Sequence, residues 1–178
     1  MARLRPARTF RDSNSQAWAR YSLRKPRKNY IKAMPRNHIQ VFKTGTDKGI
    51  FDLVMTLNAD RYMQLRSNSI EAARETANKY LSNLLPENYL LRVLIYPHNV
   101  IREHKLGGFA GADRTSRGMN MAFGKPIAVA ARIKKDQPIM LVKTTSANKA
   151  AAHEALRKAS TKLSCASSGA TAALPAMR

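Results

Sequence analysis

The longest regular pattern in the chain is a series of apolar residues at helical spacing between residues 67 and 85. Positions three and four apart lie on the same side of an α-helix, so this spacing predicts a helix with one buried face. Asn68 and Glu71 have the spacing of a capping pair at its start, and Pro86 is expected to end it. The predicted apolar face comprises Ile70, Ala73, Ala77, Tyr80, Leu81 and Leu84.

A second helix is predicted shortly after residue 145. Ser146 is a residue type favoured at a helix N-cap, and Ala151, Ala155, Leu156 and Ala159 fall on one face of the segment that follows. Each of the two helices therefore has an apolar face that the rest of the fold must cover.

Five shorter runs have the composition and alternation of β-strands. The third of them is expected to continue past Pro97 through Val100 and Ile101, and a turn around Lys135 and Asp136 separates the last two. Strands and helices do not alternate as they do in a parallel sheet, so the predicted class is α+β, with two helices packed on one side of a mainly antiparallel sheet. The runs span residues 38–43, 50–57, 89–96, 127–133 and 138–144.

Periodic apolar positions are scarce in the first 36 residues, which are interrupted by Pro6, Pro26 and Pro35. Such a segment cannot bury a core of its own, so residues 1–36 are predicted to be a basic, extended N-terminal arm that orders on its partner. Residues 37–163 are predicted to form a single α+β domain. Residues 164–178 are small, polar or alanine-rich and are expected to be a poorly ordered tail.

Charge changes this picture, because 32 lysines and arginines oppose 11 acidic residues and give a formal charge of +21. Self-repulsion at that density destabilises a compact state, and a polyanionic partner, most commonly nucleic acid, removes it. A membrane surface is disfavoured: the most apolar stretches each contain an arginine and are far shorter than the roughly 20 residues of a spanning helix. The single cysteine, Cys165, excludes an internal disulfide and suits a reducing compartment.

Residues 111–126 read GADRTSRGMNMAFGKP and combine three cations with three glycines and one acid. Gly111, Gly118 and Gly124 tolerate backbone conformations that a Cβ forbids and allow close approach to phosphates. The segment does not fit a nucleotide-binding loop, because five residues rather than four separate Gly118 from Gly124, and Pro126 stands where a hydroxyl is required.

Patterns typical of catalysis or metal binding are missing from the sequence. The histidines His38, His98, His104 and His153 stand apart, with none of the spacings typical of zinc ligands, and the carboxylates are scattered. No G-x-S-x-G motif is present. We therefore predict no enzymatic activity, no metal, no cofactor and no small-molecule substrate.

Aromatic residues fall into two groups. Trp18, Tyr21 and Tyr30 lie among arginines in the arm, where they could stack on bases or anchor the arm on the body. The aromatic residues at periodic positions of the body are predicted to be in the core; these are Phe42, Phe51, Tyr80, Tyr89 and Tyr96.

Several motifs occur together along the chain: PHNVIREHK at residues 97–105, AGADR at 110–114, AFGKP at 122–126, AARI at 130–133, YIKAMP at 30–35 and EAARETANKYL at 71–81. In combination they resemble the universal large-subunit ribosomal protein family, called L-sixteen in bacteria and L-ten-e in archaea and eukaryotes. The resemblance covers residues 3–163 and is nearest to the archaeal type.

This resemblance implies an α/β-hammerhead-like fold and a cytoplasmic, non-enzymatic role in the large ribosomal subunit. The implied partners are large-subunit rRNA, tRNA in the region of the A and P sites, and neighbouring ribosomal proteins. Residues 105–117 match the family's mobile loop, which points toward tRNA and the peptidyl transferase centre, and the N-terminal arm would thread between rRNA helices. An RNA chaperone or ribosome-biogenesis factor remains the alternative, and an RNA-modifying enzyme is a less favoured one.

Candidate RNA-binding residues follow from the charge of the arm and, for the loop and its flanks, from the resemblance. In the arm they are Arg3, Arg5, Arg8, Arg11, Arg24, Lys25, Arg27, Lys28, Lys32 and Arg36. In and beside the loop they are Arg102, Lys105, Arg114, Arg117 and Lys125, with Gly107, Gly108, Gly111, Gly118 and Gly124 as the loop glycines.

Overall fold

The computed structural model describes residues 27, 31, 34–47, 49, 51–86, 88–103, 124–164 and 169–173. These residues form eight strands and two α-helices, which confirms the predicted α+β class. The helices are α1 (Ser67–Leu84) and α2 (Lys149–Ser160), and a short 3-10 helix, Ser146–Asn148, precedes α2. The strands are β1 (Lys43–Gly45), β2 (Leu53–Asn58), β3 (Met63–Arg66), β4 (Leu90–Val93), β5 (Asn99–Glu103), β6 (Lys125–Ile133), β7 (Pro138–Thr144) and β8 (Gly169–Ala173).

The strands form two antiparallel sheets rather than one. Sheet A has five strands in the order β1-β4-β7-β2-β8, and sheet B has three in the order β3-β6-β5. The expected continuation of the strand at 89–96 through Val100 and Ile101 is therefore wrong, because β4 and β5 belong to different sheets. Pro97 lies between them and has no N–H to donate to a ladder.

Two strands were not predicted. β3 is only four residues long, too short for its alternation to stand out, and it runs directly into α1. β8 lies within the segment expected to be poorly ordered, and residues 169–173 pair with β2 from Leu53↔Ala173 to Leu57↔Gly169. β2 already pairs with β7 on its other side, so β8 satisfies peptide groups that would otherwise form an open edge.

The helix starts also differ from prediction. The N-cap of α1 is Arg66, which makes no side-chain capping hydrogen bond, and Glu71 instead pairs with Arg74, at 2.6 Å from Oε1 to Nη2. Ser146 opens the 3-10 helix, and the N-cap of α2 is Asn148. The end of α1 agrees with the sequence, since Leu84 precedes Pro86 by two residues.

Short side chains dominate the buried faces of the two helices. α1 and α2 pack against each other, α1 also packs against sheet B, and α2 packs against sheet A. We call Ala73 and Ala77 of α1, with Ala152, Ala155 and Ala159 of α2, the alanine set; all five are fully buried in one core that includes both sheets. Because alanine adds little bulk, backbones can approach closely at these positions. Ala155, Leu156 and Ala159 are buried as predicted, whereas Ala151 is only half-buried and Ala152 is buried in its place.

The end of the segment assigned to the arm packs on sheet B. Ile31 is buried against Val100 of β5 and Val129 of β6, and Met34 packs beside them. Ile31 thus belongs to the folded body, although the sequence analysis assigned residues 1–36 to the arm. The apolar pair Ile31 and Met34 fixes the chain next to the β5–β6 hairpin.

Enlarging a member of the alanine set should destabilise the protein. We expect Ala155→Leu to lower the free energy of unfolding by about 1–3 kcal/mol, because the added carbons have no space between α2 and the core. Urea denaturation of the purified protein, followed by circular dichroism, measures the change. Ala150→Leu, at an exposed position of the same helix, is the matched control and should be close to neutral. Equal stability of the two variants would contradict close packing at Ala155.

Candidate nucleic-acid interface

The two ends of residues 104–123 meet at one hairpin. β5 and β6 are antiparallel neighbours, and Glu103 at the end of β5 lies opposite Lys125 at the start of β6. Residues 104–123 connect these strands and lie outside the described part of the chain. We call residues 102–103 and 124–126 the neck. Lys125 is exposed there, at the base of the segment predicted to contact RNA.

A hydrogen bond from the Arg102 side chain joins the two strands of the neck. Its Nη2 donates a hydrogen bond to the main-chain carbonyl oxygen of Gly124, across the hairpin. Gly124 has a φ of +71°, a left-handed conformation that glycine adopts without the steric penalty of a Cβ. Burial lowers the pKa of the Arg102 guanidinium, which an arginine tolerates without losing its charge. Arg102 thus has a structural contact in the protein, and its contact with RNA stays a prediction.

A buried amide pair stiffens the sheet that supports the neck. Asn99 of β5 donates from Nδ2 to Oε1 of Gln64 in β3, at 2.5 Å, and both side chains are buried. β6 lies between these two strands, so the hydrogen bond joins its neighbours across it. A satisfied polar pair in a low-dielectric site favours one register of the three strands. The neck is therefore the end of a sheet in which the register of the three strands is fixed.

The predicted site residues are divided by what the structure describes. Arg27 and Arg36 of the arm are exposed, as Lys125 is. The remaining predicted cations lie outside the described residues, namely Arg3, Arg5, Arg8, Arg11, Arg24, Lys25, Lys28, Lys32, Lys105, Arg114 and Arg117. So do the loop glycines Gly107, Gly108, Gly111 and Gly118.

Sheet A contributes a basic surface that the sequence analysis missed. Lys43 of β1 lies opposite Arg92 of β4, and Lys143 of β7 lies opposite Leu90, the residue two positions before Arg92. These positions alternate with the core residues of their strands and so point away from the helices. We call Lys43, Arg92 and Lys143 the basic face. Their shared side could be found only from the strand register, which the sequence alone does not provide.

The carboxylate of Asp47 lies close enough to the basic face for its cations to lower the pKa of that group. A hydrogen bond from Lys43 holds the pKa of the Asp47 carboxyl below its usual value, and the charges of Lys43, Lys143 and Arg92 lower it further. One carboxylate thus faces three cations. Charge on this surface remains positive after the Lys43–Asp47 ion pair is counted.

Two further acidic side chains, one in each helix, are paired with an arginine of the same helix. Glu71 binds Arg74 in α1, and Glu154 binds Arg157 in α2, at 2.7 Å from Oε2 to Nε. The hydrogen bond from Arg157 lowers the pKa of Glu154. Neither pair neutralises a cation of the basic face or of the neck.

The aromatic predictions for the body have different outcomes. Tyr89 is buried, and Phe42 and Tyr80 are partly buried against the core, as expected. The prediction for Tyr96 is wrong, because its side chain is 47% exposed. Exposed and buried positions continue to alternate beyond β4, and Tyr96 falls on the exposed side with Arg92 and Leu94, whereas Val93 and Ile95 are buried.

Neither a membrane-spanning helix nor a metal-binding group of side chains occurs among the described residues. None of the helices among them is long and apolar enough to cross a bilayer. They also contain no group of three or more histidine, cysteine, aspartate or glutamate side chains placed to hold a metal ion.

Comparison with known proteins decides the family. Residues 18–168 match the family model described as ribosomal protein L16p/L10e. The chain belongs to this family. Curated relatives named large ribosomal subunit protein uL16 match over nearly their whole length. The protein of Thermofilum pendens is 42% identical over 90% of this chain and 92% of its own, and that of Archaeoglobus fulgidus is 41% identical over 84% and 86%. The Sulfolobus acidocaldarius protein is 42% identical over 90% and 89%.

Removing the Arg102 side chain should loosen the neck. We expect Arg102→Ala to speed amide hydrogen exchange at the ends of β5 and β6 by about tenfold or more, because a hydrogen bond from a charged donor is worth roughly 1.5–3 kcal/mol. Mass spectrometry of peptides covering residues 99–103 and 124–129 measures this, with β2 and β7 as the internal reference. Arg92→Ala, on the other sheet, should leave the neck unchanged. Unaltered exchange at the neck in Arg102→Ala would show that the bond does not hold it.

Proposed function

We propose that the chain is a structural, non-enzymatic constituent of the large ribosomal subunit. The observation that carries this proposal is the match of residues 18–168 to the ribosomal family, together with relatives that bear the name of a large-subunit protein. The implied setting is the cytoplasmic ribosome, with rRNA and neighbouring ribosomal proteins as partners. The positive charge and its distribution agree with a polyanionic environment of this kind.

Binding to rRNA would be mainly electrostatic. Each phosphate contact with a lysine or arginine releases counterions, so many such contacts give strong binding that weakens steeply with salt. The basic face, the neck and the arm supply these cations on surfaces other than the helix-covered side of sheet A. Phosphate contacts position a protein without reading sequence, so recognition would rest on the shape of the folded RNA.

A finer proposal concerns residues 105–117, which would contact tRNA near the peptidyl transferase centre. Support comes from the neck, whose Arg102–Gly124 hydrogen bond and glycine turn fix where the segment leaves the sheet. Arg114 and Arg117 would meet the tRNA backbone. A contact of this type acts by position and charge, which suits tRNAs of differing sequence.

Sedimentation of the subunit tests the structural role. We expect the protein to remain with the large subunit in a salt gradient, because a constituent enclosed by folded RNA makes many simultaneous contacts. A chaperone or biogenesis factor makes transient contacts and would leave the particle as salt rises. Loss of the protein from mature subunits under mild salt would therefore contradict the proposal.

Substituting the basic face should reduce the salt dependence of RNA binding. We expect the triple variant Lys43→Ala, Arg92→Ala and Lys143→Ala to lower the slope of log K against log salt by about two to three, since each phosphate contact contributes roughly 0.7–0.9. Filter binding to protein-free large-subunit rRNA measures the slope. The matched control replaces the exposed helical lysines Lys79 and Lys149, together with Lys162 just beyond α2. An equal loss in both variants would mean that the basic face has no special part in binding.

Substituting the loop arginines should separate assembly from tRNA binding. We expect Arg114→Ala with Arg117→Ala to leave the yield of large subunits nearly unchanged while impairing accommodation of tRNA, because only the tRNA contact is removed. Subunit profiles and A-site tRNA binding are the measurements. The control, Lys134→Ala with Lys135→Ala, removes two exposed cations from the turn between β6 and β7. Normal translation by the Arg114 and Arg117 variant would show that the loop is wrongly assigned.

A further inference from the structure

Three aromatic rings form an exposed group at one end of sheet A. The rings of Phe42 and Tyr96 are stacked, with centroids 5.5 Å apart and planes inclined by 22°. The ring of His98 lies 4.6 Å from that of Tyr96 and is tilted by 48°. We call Phe42, Tyr96 and His98 the ring cluster. Tyr96 and His98 are exposed, while Phe42 is partly buried against the core.

The backbone holds the ring cluster in place. Val93 donates its N–H to the carbonyl oxygen of Phe42 at 2.8 Å, and Leu94 donates to Ile139 at 2.9 Å. Tyr96 lies between the buried residues Ile95 and Pro97. With both chain neighbours fixed, the ring cannot withdraw into the core, so the cluster presents its surface without further ordering on binding.

Exposed apolar residues and then cations lie near the ring cluster along the chain. Val41 lies two residues before Lys43, and Leu94 lies two residues after Arg92. Each is therefore just outside β1 or β4 and close along the chain to a residue of the basic face. Their side chains are 46% and 39% exposed. Together with Tyr96 they make up three of the five large apolar side chains that are exposed among the described residues. Exposed apolar side chains concentrated in this way mark a binding surface.

We propose that the ring cluster is a stacking platform for an unpaired nucleobase of RNA. This proposal rests on the proposed function, since it names the RNA element that one surface of the protein would take. The base would stack against the exposed rings, and the adjoining phosphates would meet Lys43 and Arg92. Aromatic stacking combined with a cationic border is the pattern by which proteins bind single-stranded nucleic acid.

The cationic border favours RNA over a protein as the occupant. A protein interface core is depleted in charge, whereas this apolar area runs directly into the basic face. The acid closest to that border, Asp47, is already paired with Lys43. A base inside a duplex has both faces covered by its neighbours, so the platform selects a nucleotide that is unpaired and turned outward.

Binding of the full-length protein to two RNA probes tests the platform. The probes are a single-stranded oligoadenylate of about 12 nucleotides, within the usual site sizes, and an RNA duplex of the same length. We expect Tyr96→Ala to weaken binding to the single strand by about 5- to 150-fold, the range measured for the loss of one stacked base, and to leave duplex binding unchanged. Tyr96→Phe, which keeps the ring, should bind as the wild type does.

Tyr62→Ala is the matched control, because Tyr62 is a tyrosine outside the ring cluster and is 58% exposed between β2 and β3. It should alter neither affinity. An equal loss of both affinities in Tyr96→Ala, or no loss of either, would overturn the proposal. Circular dichroism melting of each variant shows whether the fold is retained, and Tyr96→Phe keeps the test decisive if Tyr96→Ala unfolds.

Photocrosslinking in intact large subunits is the second test of the platform. We expect ultraviolet light to join Tyr96 or His98 to a nucleotide of the rRNA that is unpaired. A crosslink from these side chains to another protein would identify a protein occupant and overturn the platform. That result would leave the proposed function intact, because the chain would still be in the subunit; its absence from the subunit would contradict the function itself.

Discussion

Close packing of two alanine-rich helices is the constraint on which the rest of the structure depends. The alanine set lies in a single core with residues of both sheets, among them Met55 and Val142 of sheet A and Leu65 of sheet B. α1 begins where β3 ends, and α2 follows β7 after one turn of 3-10 helix, so the helix pair ties each sheet to the other. A cation–π contact also joins the two helices, because Nζ of Lys158 in α2 lies 3.6 Å from the ring centroid of Tyr80 in α1.

Charge follows from this arrangement. One side of sheet A is covered by the helices, so its opposite side and the neck of sheet B are left to present cations. Glu71 and Glu154 are paired with arginines of their own helices and do not neutralise these cations. A protein built in this way gains from a polyanion that surrounds it, because neutralisation removes the self-repulsion of the folded chain. The cations of the predicted arm and those of the sheet surfaces would then bind different parts of one large RNA.

The sequence predicted the elements with long periodic patterns and missed those that depend on neighbours in space. α1 was predicted nearly to its ends because 18 residues give a clear helical period. The caps were wrong because Asn68 and Ser146 suit an N-cap by type, while the true starts follow from how β3 and the 3-10 helix enter the helices. β8 could not be predicted from five residues of small side chains, since its stability comes from the edge of β2.

The same division holds for the candidate site: residues within a sequence motif were predicted, and residues brought together by strand pairing were not. Lys125 and Gly124 were found because the family motif AFGKP marks them, and the structure shows where they sit on the hairpin. The basic face needed the register of β1, β4 and β7, which brings together residues as distant in the chain as Lys43 and Lys143. Tyr96 was assigned to the core because it is aromatic and at a periodic position, but it lies on the exposed side of its segment, with Arg92 and Leu94.

Directed hydroxyl-radical probing tests the central claim, that a rigid body holds residues 105–117 toward tRNA. Cys165 is the single cysteine, so Cys165→Ser followed by Ser116→Cys gives one attachment point for a tethered iron chelate, with Ser82→Cys, at an exposed position near the end of α1, as the reference. In large subunits with bound tRNA, the account predicts strand cleavage of the tRNA from position 116 and none from position 82. Cleavage of rRNA alone from both positions would contradict it.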